Sequence, residues 1–138
     1  MANFETRMMA DTLWLRAQFF RLVPCVTADE ITVLIAQPGG DARADVTRWL
    51  AEGRIFYVTR GPAEFYPAFQ FAPDLTPLPF IGEILNILRQ VSSRSDWDNA
   101  MWFIAENGWL NGSSPLDSLF TEPALVTHAA EQEVLPDI

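Results

Sequence analysis

The sequence predicts a mainly α-helical protein carrying one small β-hairpin, divided into two unlike halves. Three observations lead there: amphipathic segments bounded by capping residues on both sides of the chain's middle, a single aromatic and β-branched run between Ile55 and Tyr66, and four prolines from Pro67 to Pro79.

Each element follows in order. Residues Phe4 to Leu22 place Phe4, Met8, Leu13, Leu15, Phe19 and Leu22 among Arg7, Asp11, Arg16 and Arg21, with no Gly or Pro. That predicts an amphipathic helix ending before Pro24, with an apolar side broad enough to pack on a partner or to cover the next domain. Thr27 and Glu30 have capping-box spacing ahead of Ile31, Leu34 and Ile35, which form an i, i+3, i+4 face. Residues 37–40 stop that helix. Asp41 can cap a second one, with Val46, Trp49 and Leu50 inward and Gly53 at its end. Ile55 to Thr59 and Glu64 to Tyr66 then read as two strands joined by a turn at Arg60 to Ala63. Helix, turn, helix and hairpin in that order are the layout of a winged helix-turn-helix, over residues 23–71.

A Pro-rich linker over 72–79 separates this unit from a helical half, 80–133, which leaves 134–138 as a tail. Phe80 to Val91 carries Ile81, Ile84, Leu85 and Leu88 on one face. Ser95 caps a helix with Trp97, Met101, Trp102, Ile104 and Ala105 expected to be largely buried. Ser114 and Pro115 open a short helix with Leu116 and Leu119 inward, and a last helix runs from about Pro123 to Glu133.

Composition narrows the function classes. Hydrophobic residues make up 49% of the 138 and charged residues 20%, which describes a folded chain with material for one good core or two small ones. The single Cys25 cannot form an internal disulfide. No secretory leader is apparent at Met1, and no run approaches the ~20 apolar residues of a membrane span, so a cytoplasmic protein is expected. The net charge of −9 is uneven. Up to Phe71 there are seven Arg against eight acids, and after it two Arg against ten acids; Lys is absent. A basic surface, if there is one, must lie in the first half.

The inventory argues against catalysis and cofactors. Cys25 and His128 sit in no nucleophile motif, one Cys and one His cannot complete a structural zinc set, Asp96 and Asp98 lack calcium-loop spacing, and Gly39 with Gly40 is an isolated pair and no phosphate-cradling loop. Duplex DNA is a better candidate ligand. Arg43, Thr47 and Arg48 lie away from the apolar face of the second helix, Arg54 follows it, and Arg60 marks the hairpin tip, where a wing contacts phosphate or the minor groove. The same charges also suit an ordinary solvated face. So few of them would bind weakly from a monomer, and a homodimer would double the count.

The C-terminal third carries a more specific pattern. Trp97 to Ala130, and above all Leu110, Gly112, Pro115, Asp117 and Leu119 in the form L-x-G-x-x-P-x-D-x-L, resembles the toxin-binding domain of the Xre/MbcA/ParS antitoxins. The resemblance covers about residues 25 to 130, since a subset of these proteins places a winged helix first. It implies an antitoxin-like homodimer that binds and neutralises a nearby-encoded RES-type toxin, an NAD-degrading enzyme, while the N-terminal domain binds promoter DNA as an autoregulator. In that family the antitoxin's end can block the toxin's active site. Glu131, Glu133, Val134, Leu135, Asp137 and Ile138, acidic and apolar, are the residues that would do so here. The alternative is a protein-interaction or scaffold module without DNA binding.

Overall fold

The computed structural model describes residues 4–35 and 40–136, and among them the protein is mainly helical with one three-stranded antiparallel sheet. Helix α1 spans Phe4–Leu22 and stops where Pro24 removes a backbone donor. Its second half is the part that packs. Phe19 is fully buried, Phe19 and Phe20 each meet the Trp97 ring edge-on at 5.6 Å, and the Arg16 guanidinium lies 4.9 Å over the same ring.

Strand β1, Cys25–Thr27, is absent from the sequence expectation. Three residues give no local strand signal, and this one forms because β3, Ala63–Pro67, lies alongside it, with Val26 opposite Tyr66. Thr27 also caps α2, Ala28–Ile35: its hydroxyl oxygen accepts from the Glu30 N–H at 3.2 Å, and the hydroxyl donates to the Glu30 carboxylate at 3.1 Å. Residues 37–39 of the expected turn lie outside the described residues. Asp41 caps α3, Ala42–Ala51, by accepting from the Ala44 N–H at 3.1 Å.

The hairpin sits further along the chain than its composition suggests. The ladder pairs β2, Val58–Arg60, with β3, so Arg60 lies within a strand opposite Ala63, and the loop is Gly61 and Pro62 alone. Gly61, at φ +60°, supplies the positive φ that a two-residue hairpin loop requires. Ile55 and Phe56 are β-formers withheld from the ladder by burial. They are neighbours in extended chain and point opposite ways, one into each of two cores.

The smaller core holds Ile31, Val46, Trp49, Ile55, Tyr66 and Phe71. The larger joins Phe19, Val23, Phe56 and Val58 to the helical half, so it draws on both sides of the proline segment. That segment is a hydrogen-bonded turn. The Ala72 N–H donates to the Thr76 carbonyl at 2.8 Å, the Leu78 N–H to the Gln70 carbonyl at 2.9 Å, and Phe71 bridges Pro77. Just before it, the Gln70 side chain is fully buried and clamps Phe56, accepting from its N–H at 2.8 Å and donating to its carbonyl at 2.9 Å.

In the helical half α4, Pro79–Leu88, buries Ile81, Ile84, Leu85 and Leu88 completely. Helix α5, Asp96–Ile104, starts in a full capping box between Ser95 and Asp98. Its inward residues are Trp97, Ala100 and Phe103 at every third position, with Asn99 and Trp102 beside them. Met101 and Ile104 are only partly buried, and Ala105 is exposed because the chain has already turned extended there. The Trp97 indole N–H donates to the Thr59 carbonyl at 3.1 Å and so joins α5 to β2. Helix α6, Pro115–Ser118, leads into the buried Leu119, with Leu116 half-buried. Helix α7, Pro123–Val134, packs along α4. Arg94 fastens the end of α7 to α5, donating to Asn99 Oδ1 at 2.8 Å, Glu133 Oε1 at 3.1 Å and the Asp98 carbonyl at 3.3 Å.

Burial at the sheet has a pH consequence. It pushes the Cys25 thiol from 9.0 up to about 11. Burial, with the charges of Glu64 and Tyr57 beside it, raises the Tyr66 hydroxyl from 10.0 to about 12. Both groups are neutral when protonated, so the fold favours the protonated forms: stability is intact below the unfolded values and falls as pH rises from 9 towards 12. The thermal midpoint is expected to drop steadily over that range, and Cys25→Ala should flatten its lower part. A midpoint unchanged between pH 9 and 11 would contradict this.

Candidate protein-binding site

The loop carrying the L-x-G-x-x-P-x-D-x-L pattern closes on one residue, Asn107. Its N–H donates to the Ser113 carbonyl at 3.1 Å, its carbonyl accepts from the Gly112 N–H at 3.0 Å, and its side chain accepts from the Trp109 N–H at 2.9 Å. Within the loop Asn111 and Gly112 take successive left-handed conformations, φ +57° and +87°, the second of which demands glycine far more than the first. Ser114 then accepts from the Asp117 N–H at 3.1 Å and starts α6. Leu110 and Leu119 anchor the two ends in the larger core, Pro115 is buried, and Asp117 is exposed in the first helical turn, where a carboxylate suits the helix dipole.

This loop opens onto a groove of about 320 Å³ lined by Leu22, Ile104, Glu106, Gly112, Ser114, Leu116 and Asp117. Leu22, Ile104 and Leu116 are apolar, and Glu106 and Asp117 are exposed carboxylates. Away from the groove, the loop's Trp109 is 57% exposed and meets the His128 ring edge-on at 5.5 Å, with Leu125 exposed one turn before His128 on α7. The sequence did not single out Glu106, and it marked Leu22 and Ile104 only as apolar helix residues, not as part of a site. The Asn107-Gly108 dipeptide is a turn signal that marks the loop, whereas Leu22 comes from a helix more than eighty residues away.

Of the residues expected to block a partner's site, three are helical. Glu131, Glu133 and Val134 belong to α7; Val134 packs on the larger core, and Glu133 is held 3.1 Å from Arg94. The helix runs on to Val134, which is partly buried, while Glu131 is exposed. Leu135 is exposed at the helix end, and Asp137 and Ile138 lie outside the described residues.

The arginines assigned to DNA fall in three places. Arg43, Thr47 and Arg48 are exposed on α3, where Thr47 Oγ1 donates to the Arg43 carbonyl at 3.0 Å. Arg48 is bracketed by Asp45 at 3.1 Å and Glu52 at 3.3 Å, and Arg43 lies 3.7 Å from Asp29. Arg54, half-buried, lines a separate cleft against α4 with Gly82 and Glu83. Arg60 turns back over the Phe20 ring at 5.5 Å.

Among the described residues no group of three or more His, Cys, Asp or Glu is placed to hold a metal ion, and no helix is long and apolar enough to cross a membrane. The raised Cys25 thiol is the reverse of an activated nucleophile. No protein-family model, curated protein or solved structure matches the chain.

Proposed function

We propose that this chain is an antitoxin-like protein that seats a partner protein, a RES-type toxin, in the groove beside the Asn107 to Asp117 loop, and that residues 23–71 form a winged helix. One observation carries the reading: the residues of the toxin-binding-like pattern build a closed loop whose Gly112, Ser114 and Asp117 line an open groove together with the apolar Leu22, Ile104 and Leu116 and a second carboxylate, Glu106. Two exposed carboxylates in the groove, on a half with net charge −8, fit a basic partner surface. The order β1, α2, α3, β2, β3 with the sheet arranged β1-β3-β2 supports the winged helix, with α3 as its recognition helix.

The test is co-expression with the product of the neighbouring gene. Co-purification and restored growth are expected, and Leu116→Glu with Asp117→Arg should weaken capture at least tenfold while the variant stays folded. No complex, or capture indifferent to both changes, would sink the groove as the binding site.

A specific observation favours the scaffold alternative for the N-terminal half. The exposed arginines of α3 are already paired with Asp29, Asp45 and Glu52, and Arg60 is folded onto Phe20, so phosphate contacts must displace ion pairs. A mobility shift with the upstream DNA decides between the two: a retarded band weakened by Arg48→Glu and steeply salt-sensitive supports operator binding, and none supports the scaffold.

A further inference from the structure

The segment between α5 and the Asn107 loop leaves one main-chain pair unused. Ala105, at φ −81° and ψ 149°, and Asn107, at φ −132° and ψ 123°, are both extended. The N–H and carbonyl of Asn107 are both engaged inside the loop, by the Ser113 carbonyl and the Gly112 N–H. In extended chain the main-chain groups of successive residues point to opposite sides, so those of Glu106 point away from the loop. Ala105 and Glu106 are exposed, and among the described residues neither the Glu106 N–H nor its carbonyl makes a hydrogen bond. An unpaired edge of this kind is a template for another chain.

Glu106 also stands between two hollows. It lines the groove with Leu22, Ile104 and Leu116, and it lines a second cleft of about 340 Å³ with Arg94, Asp98, Trp102 and Glu133. That cleft holds three carboxylates against one guanidinium, which already donates to Glu133, so its charge favours a cation. Its wall includes Trp102, 7% exposed, whose buried indole N–H has no acceptor among the described residues, and an occupant's carbonyl would supply one. We propose that the partner enters the site as an extended segment whose main chain pairs with that of Glu106, with an apolar side chain in the groove and a neighbouring Arg or Lys side chain in the second cleft. Successive side chains of a strand point to opposite faces, which makes the two adjacent in the partner's sequence. Strand addition draws affinity from main-chain bonds and selectivity from the pockets that flank them. This pairing rests on the groove being a protein-binding site, whatever the partner.

The probe is a capped peptide, acetyl-Thr-Val-Leu-Arg-Val-Thr-amide, titrated into the isotope-labelled full chain and followed by nuclear magnetic resonance. The Glu106 amide resonance should move downfield, the Trp102 indole with it, and both should saturate at millimolar peptide. Exchanging the peptide's Arg for Glu should weaken binding at least tenfold. N-methylation should do the same at one of its Leu and Arg positions and not at the other, because only alternate residues of an added strand face Glu106. Glu106→Pro deletes an N–H that no described residue accepts and should abolish binding with circular dichroism unchanged, whereas Glu106→Ala should keep the pairing and lower the preference for Arg. No shift at the Glu106 amide, equal effects of the two N-methylations, or a Glu peptide that binds as tightly as the Arg peptide would each overturn the added strand. Partner capture that fails in Leu116→Glu and persists in Glu106→Pro would remove the strand and leave the groove, and capture indifferent to Leu116→Glu would remove the groove itself.

Discussion

Phe103→Ala is expected to lower the unfolding free energy by about 3–5 kcal/mol, a large part of the ~5–15 kcal/mol that holds a domain together. Phe103 is fully buried at the point where the two halves of the chain meet. Its ring stacks on Phe56 at 6.0 Å and 14°, lies 4.9 Å from Phe69 and meets Trp102 edge-on at 5.2 Å. Phe56 and Phe69 come from the hairpin side of the proline turn and Trp102 from α5, so truncation opens a cavity that neither side can close alone. Urea unfolding followed by circular dichroism measures the effect. The native chain should unfold in one transition, because the larger core crosses the turn. A loss under about 1 kcal/mol, or two separated transitions in the native chain, would contradict the shared core.

Gln70→Leu comes second, at about 2–5 kcal/mol, because it strands two buried backbone groups at once. The native amide matches both the N–H and the carbonyl of Phe56, and no apolar isostere can. Gln70→Glu is the informative companion. As a carboxylate it accepts from the N–H but cannot donate to the carbonyl, and it is charged in a buried site; protonated, it does both. Its deficit relative to the native chain at the same pH should therefore shrink as pH falls. A deficit independent of pH would mean that Gln70 matters by volume alone.

What the sequence revealed and what it hid divide along the range of the interactions. The caps at Thr27, Asp41, Ser95 and Ser114, and the stop before Pro24, were legible because each acts within four residues. The apolar face of α4 was legible through periodicity alone. β1 was not, since its three residues become a strand through pairing about forty positions away. The hairpin register slipped for the same reason: Ile55 and Phe56 look like strand residues, and only the two cores and Gln70 explain why they stay out of the ladder. At the candidate site, the loop pattern from Leu110 to Leu119 was readable, but the groove it opens on depends on Leu22, and the partner of Glu133 is Arg94, 39 residues earlier and beyond the reach of any local pattern.

The indole of Trp97 has a protective effect. A three-residue strand at the border of a sheet shows outward-pointing carbonyls that invite a strand from another molecule, the first step of amyloid-like addition. At β2 the Thr59 carbonyl is already taken by Trp97, and the bulk of α5 stands behind it. The side chain that anchors α1 thus also serves as a gatekeeper against aggregation, closing that border of the sheet to templated growth.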